Sequence, residues 1–168
     1  MSDAGEKVVQ ATRQRAAVYA HLFLVLRREF GEDRTIELMS EAIRNHGREK
    51  SKRNYSDKAQ SGDLAQAVLE FASPDPVKQY QFAPRIVSLQ PEEEPEEAVV
   101  AMARCPLVDE WRAMGFSDRD VDTLCLIARA VDFGTWEGAL PFSLKFESTR
   151  GHGDAECVLR IKKARKSG

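Results

Sequence analysis

Apolar positions recur at helical spacing over the first part of the chain. Between residues 6 and 30, Val9, Ala16, Tyr19, Ala20, Phe23, Leu26 and Phe30 form one stripe, uninterrupted by Pro or Gly. Gly31 follows, as a helix-ending glycine does. A second helix is predicted from Asp33 to Arg48, with Ile36, Met39, Ala42 and Ile43 on one face. Together they read as an antiparallel helical pair joined by a short turn. Residues 54–62 are polar and read as a loop. Asp63 is placed to cap a short helix carrying Leu64, Ala67, Val68 and Phe71, which Ser73-Pro74-Asp75-Pro76 ends.

The period then changes. Residues 85–90 and 97–104 read as strands joined by an acidic turn, Pro91 to Glu96, which is solvated and self-repelling rather than a metal site. Pro106 opens a short helix through Trp111 and Met114, ended by Gly115. Ser117 and Asp120 make a near capping box for a helix from Asp118 to Trp136. At the end, Phe142, Leu144 and Phe146 alternate with polar residues, and so do Cys157, Leu159 and Ile161. That is period two, with one face buried. Arg150 to Asp154 is the hairpin loop between them, and Lys162 to Lys166 is expected to fray. The expected fold class is α+β: an antiparallel sheet of about four strands in two hairpins, covered by helices, with an N-terminal helical pair. The 168 residues suit a single domain, 1–168, with a mainly helical part at 6–72 and a sheet-and-helix part at 83–163.

Composition narrows the function classes. Hydrophobic residues make up 42% and charged residues 31%, as in an ordinary globular chain, and the net charge of −2 offers no field for nucleic acid or anionic membrane. The apolar run Leu22 to Leu26 is too short to cross a bilayer, and the N-terminus lacks a signal-peptide pattern. Three widely spaced cysteines argue against a disulfide framework and for a reducing cytoplasm. No cofactor motif is present. The expected partner is a small-molecule substrate, with homo-oligomerisation left open.

Candidate chemistry concentrates between Cys105 and Cys157. On the helix from Asp118, Cys125 and Asp132 share a face about 10 Å apart along the axis. An aspartate on an apolar stripe must be paired, protonated or facing a polar cavity. One reading pairs it with Arg104 or Arg160 inside the fold; the other makes it functional. Cys105 precedes a proline at a helix start, where the positive helix end favours a thiolate, so it is the best nucleophile candidate. Cys157 faces inward with Leu159 and Ile161, as a small core residue does. The cysteine spacing matches no familiar zinc pattern. Arg44, His46, Arg48, Lys50, Lys52 and Arg53 form either an anion-binding edge or a solvated helix end.

The order of motifs is Cys105-Pro106-Leu107, Leu124-Cys125 with Asp132, Phe146-Glu147-Ser148-Thr149-Arg150, then Gly153-Asp154-x-x-Cys157. This order resembles the L-2-amino-thiazoline-4-carboxylic acid hydrolase family, best over residues 105–161. The resemblance implies a hydrolase that opens a C–N bond of a cyclic amidine to give a carbamoyl-cysteine product. It carries over Cys105, Cys125, Asp132, Gly153, Asp154 and Cys157. Gly151-His152 departs from the expected approach to Gly153. For such a substrate the catalytic candidates are Cys105, Asp132 and Cys125. Arg44, Arg48 or Arg150 would clamp the carboxylate, with His152, Asp154 and Cys157 as further substrate-binding candidates. The alternative reading is a non-catalytic ligand-binding or sensor domain on the same scaffold.

Overall fold

The computed structural model describes residues 3–164. Two long helices open the chain, α1 (Asp3–Phe30) and α2 (Glu32–Asn54), hinged at Gly31. Gly31 sits at φ +82°, a conformation open to glycine without strain. Ala16, Ala20 and Phe23 of α1 and Met39 and Ile43 of α2 share one core, so both stripes are apolar for the reason the periodicity suggests. Phe30, at the end of the predicted stripe, is instead 59% exposed.

Short helices follow. These are α3 (Asp57–Gln60), α4 (Leu64–Phe71) and α5 (Pro76–Gln81). Asp63 caps α4 as expected, accepting the Gln66 N–H at 2.8 Å. Two of these helices correct the sequence reading. The polar stretch 54–62 contains α3, because the Ser56 side chain accepts the Ala59 N–H. Asp75-Pro76 does not merely end α4. Asp75 accepts the Val77 and Lys78 N–H groups and Pro76 occupies the first turn, so the pair starts α5.

The sheet comprises β1 (Pro84–Gln90), β2 (Glu97–Met102), β3 (Phe142–Ser148) and β4 (Cys157–Lys163), in the order β1-β2-β4-β3, antiparallel throughout. The two hairpins therefore join through β2 and β4. Cys157, Leu159 and Ile161 are buried, and the intervening Arg160 engages Glu97 and Glu147 on the other face. Lys162 and Lys163, expected to fray, belong to β4: Lys162 pairs with Glu97 at 2.6 Å and the Lys163 N–H donates to the Glu96 carbonyl. The rest of that predicted tail, from 165, lies outside the described residues. The β3–β4 register shifts between Phe146 and Ser148, a bulge of the kind that re-aims side chains.

Between the hairpins lie α6 (Pro106–Ala113), α7 (Asp118–Ala128) and α8 (Ala130–Phe133). Ser117 caps α7 by accepting the Asp120 N–H. The single helix predicted from Asp118 to Trp136 is broken. α7 stops at Arg129, α8 follows, and Gly134–Ala139 winds into a π-helical turn. The cause is packing. A Cβ on Gly134 would lie 2.0 Å from the Arg44 carbonyl oxygen, and one on Gly47 would lie 2.2 Å from the Val131 carbonyl oxygen. Backbone thus meets backbone where α2 crosses this segment, and a regular helix gives way to a locally rewound one.

Two apolar cores result. One joins α1, α2, α6 and α7; the other joins the sheet with α3, α4 and the π-helical turn. No described helix is long and apolar enough to cross a membrane.

Candidate functional site

A cavity of about 280 Å³ lies at the seam of the two cores. Leu107, Val108, Trp111 and Ala128 line it from one core; Phe71, Met102 and Phe146 line it from the other. Its α2 wall is built by spacing. His46, Lys50 and Asn54 recur every four residues and line it, beside Ser51 and Tyr55. Gly47 and Ser51 hold that wall in place, Gly47 by backbone contact and Ser51 by a 2.8 Å hydrogen bond to Thr135.

Asp132 opens onto this cavity. Its carboxylate has no hydrogen bond or ion pair among the described residues; its backbone N–H donates to the Arg129 carbonyl. Arg160 is taken by Glu97 and Glu147, and Arg104 makes no bridge to Asp132, so neither pairing expected inside the fold is made. Asp132 is half-buried and lines the cavity. Burial therefore pushes its carboxyl up to about 7, with Lys50 pulling the other way. The Tyr55 phenol is pushed up by burial and then by the Asp132 and Glu70 charges.

All three cysteines reach the same cavity, and all are free thiols. Burial pushes Cys105 up to about 12 and Cys157 up to about 11, and raises Cys125 as well. The start of α6 does act on Cys105, because the Val108 and Leu107 N–H groups favour its thiolate, but burial outweighs them. The expected low-pKa thiol is thus not found there. Among the described residues, no group of three His, Cys, Asp or Glu side chains is arranged to hold a metal ion.

The Gly-Asp-x-x-Cys motif shapes the loop beneath two of these thiols. Gly153 takes φ +107°, and Asp154 accepts the Thr149 N–H at 2.9 Å to close the loop. The Arg150 N–H then donates to Cys157 Sγ at 3.4 Å, while the neighbouring Gly151 N–H faces Cys125. Only glycine fits at 151, since a Cβ there would lie 2.2 Å from Cys125 Cβ.

The remaining candidates lie away from the cavity wall. Arg44 stacks over Phe133 with its Cζ 5.4 Å from the ring centroid, and Arg48 extends over the surface. Arg150 ties the Ala155 carbonyl at 2.8 Å, the Ala103 carbonyl at 3.4 Å and Asp109. His152 pairs with Asp122 at 3.3 Å in an exposed position. Cys105, Cys125, Asp132 and Cys157 are brought together; Arg44, Arg48, Arg150, His152 and Asp154 are not. The cavity adds Tyr55, Trp111 and Arg129, which sequence reasoning did not select as site residues, and it takes in His46 and Lys50 from the basic cluster read as either an anion-binding edge or a solvated helix end. Only the spacing of His46, Lys50 and Asn54 offered a signal for that wall.

Residues 11–161 match the family of L-2-amino-thiazoline-4-carboxylic acid hydrolases. The chain belongs to this family. The match runs through α1, α2, the sheet and the motif-bearing segment alike, so it covers the cavity walls as well as the cysteines. Membership implies hydrolase function of that type. No curated protein sequence matches the chain. Among solved structures, it is similar to a trafficking protein particle complex subunit 3 from Naegleria fowleri covalently bound to palmitic acid, with TM-score 0.61 and 12% identity over 92% of this chain and 96% of that one. At that identity the likeness shows the fold, and it agrees with an α+β chain of helices on a four-stranded antiparallel sheet.

Proposed function

We propose that this member of the family hydrolyses a C–N bond of a cyclic amidine or amide bearing a carboxylate, and that Asp132 is its acid–base group. The observation carrying this reading is the Asp132 carboxyl on the cavity wall, unpaired and titrating at about 7. A group near neutrality can both take and return a proton at neutral pH. In the reaction, water adds through its oxygen to the amidine carbon while Asp132 takes its proton. The ring C–N bond then breaks, Asp132 returns that proton to the departing nitrogen, and the added hydroxyl gives its remaining proton to the released amine as it becomes the carbonyl of a carbamoyl group on the opened chain. A direct attack by Cys105 fits less well, because burial keeps that thiol protonated. The free thiols suit a reducing compartment such as the cytoplasm.

One observation favours a second reading, a domain that retains an apolar ligand. The cavity wall of Leu107, Val108 and Trp111 adjoins the Cys105 thiol, and the similar Naegleria fowleri protein holds palmitic acid covalently.

Turnover of a panel of cyclic amidines, lactams and related carboxylates separates the two. Wild type, Asp132→Asn and Cys105→Ala are compared alongside the intact mass of the purified protein. Ring opening lost in Asp132→Asn but kept in Cys105→Ala supports the first reading. No turnover by folded wild type, with an acyl mass on Cys105, defeats it in favour of the second.

A further inference from the structure

Arg129 is a half-buried cation on this cavity wall that makes no ion pair among the described residues. It stands at the break between α7 and α8 and lines the cavity. Its Nε is shut off from solvent and has no hydrogen-bond partner, and its side chain makes no ion pair among the described residues. The guanidinium lies over the Phe146 ring, Cζ 5.4 Å from the centroid. Stacking uses the face of the guanidinium and leaves the in-plane N–H groups of its two terminal nitrogens, which are not sealed, available to take a carboxylate as a fork.

Asp132, three residues on, is equally unsatisfied. Residues at that spacing on a continuous helix are neighbours and opposite charges usually pair. Here the helix is broken between them. The Asp132 N–H turns back to the Arg129 carbonyl at 3.0 Å, and Arg129 runs to Phe146 on β3 instead. The cavity wall therefore carries a half-buried cation and a buried carboxyl that do not pair with each other, and Lys50 is the charge that acts on the aspartate.

The other charges around the cavity are accounted for. Glu70 is held by Ser56 and Gln66, and Lys78 by the Glu70 carbonyl. Arg15, His46, Lys50 and Arg104 are exposed, so water solvates them. An unpaired cation in water asks for no ligand, whereas Arg129 is half-buried with its Nε sealed and unpartnered, so an anion at its terminal nitrogens would offset a charge that water reaches only in part.

We propose that Arg129 is the anion-binding group of the cavity and that it acts with Asp132 to select a zwitterionic ligand, carboxylate on the guanidinium and cationic amidine on the aspartate. This rests on the hydrolase reading for the choice of amidine and names the group that holds the substrate's carboxylate.

The probes are 2-amino-thiazoline-4-carboxylate and its carboxamide. Their binding to wild type, Arg129→Gln, Arg129→Lys and Asp132→Asn is followed by rapid mixing with tryptophan fluorescence, since Trp111 lines the cavity. Reading the first phase separates binding from turnover. Wild type is expected to prefer the carboxylate by about 10- to 100-fold, the scale of a charge-assisted hydrogen-bond pair. Arg129→Gln removes that preference while leaving carboxamide affinity within about twofold, and Arg129→Lys keeps part of it, having the charge without the fork. Asp132→Asn weakens both probes alike. Thermal unfolding checks each variant, and if Arg129→Gln does not fold, the partial loss in Arg129→Lys carries the test. A carboxylate preference unchanged in folded Arg129→Gln, or absent in wild type, overturns the proposal whether or not the probe is hydrolysed. Arg129-dependent binding of a probe that is never opened upholds it and defeats the hydrolase reading instead.

Discussion

The Ser51 and Thr135 hydroxyls meet at 2.8 Å in the interior, where α2 crosses the π-helical turn. Thr135 also donates to the Val131 carbonyl at 3.1 Å, which uses its one proton, so Ser51 is the donor to Thr135. The two variants are therefore unequal. Ser51→Ala leaves Thr135 still bonded and should cost about 0.5–1.5 kcal/mol. Thr135→Val leaves the Ser51 hydroxyl buried without this partner and should cost about 1–3 kcal/mol. Urea unfolding of both variants checks the order.

The same crossing makes two glycines obligatory and a third replaceable. Gly134→Ala and Gly47→Ala each drive a Cβ into a backbone carbonyl, at 2.0 and 2.2 Å. Each should cost about 1–3 kcal/mol or more, as overpacking does, and lower Tm by about 2–4 °C per kcal/mol for a chain of this size. Gly138→Ala meets only the Arg48 side chain at 3.5 Å, an ordinary contact. It should be neutral or slightly stabilising, and calorimetry of the three variants distinguishes them.

Asp132 makes stability fall as pH rises. Its ordinary carboxyl value is 3.8, and in the fold it is pushed up to about 7 by burial. Below about pH 4 both folded and unfolded chains hold the proton and no difference arises. Between there and about pH 7 the unfolded chain releases it while the folded chain retains it, so the unfolded state gains. Above pH 7 the full penalty stands, on the order of 4 kcal/mol at most. Asp132→Asn should therefore be more stable than wild type at pH 8 and equal to it near pH 4. Denaturant melts of both proteins at pH 4, 6 and 8 read this directly.

Thiol labelling should be slow. With Cys105 at about 12 and Cys157 at about 11, little thiolate exists at pH 8. Iodoacetamide labelling of the native protein, followed by peptide mass spectrometry, should lag an unperturbed thiol by about 100-fold or more, because the thiolate is the reacting form. Labelling of Cys105 at the rate of a free thiol would contradict its buried, protonated state.

Gly151→Ala tests the loop under the cysteines. The new Cβ would lie 2.2 Å from Cys125 Cβ and 2.6 Å from its sulfur. Because alanine keeps the Cβ, Cys125→Ala should not rescue Gly151→Ala, and the double variant should stay destabilised by about 1–3 kcal/mol relative to Cys125→Ala. Rescue would mean that the sulfur alone makes the contact.

Much of the fold was legible because it is local. Period-two alternation in β3 and β4, the caps at Asp63 and Ser117, and the glycines at 31 and 115 are set by residues within a few positions of each other. The start of α5 was equally local: Asp75-Pro76 is a helix opening as well as an ending, and it was read only as the latter. In the site, Asp132 stood out as a charge on an apolar stripe, and the cysteines stood out by their motifs. Arg129 did not, since an arginine at a helix end carries no local mark of being unpaired.

The sequence by itself determined an α+β chain, its helical pair, its two hairpins and an aspartate that had to face something polar. These follow from periodicity, capping and the cost of burying charge. Only the tertiary structure decided what that aspartate faces. The backbone contact of Gly47 and Gly134 across α2 breaks the predicted long helix and parts Arg129 from Asp132. Burial at the seam of two cores keeps the thiols protonated, and the hairpin loop holds Arg150 on carbonyls away from the cavity wall. Each of these depends on contacts between residues distant along the chain, where spacing in sequence carries no information about distance in space.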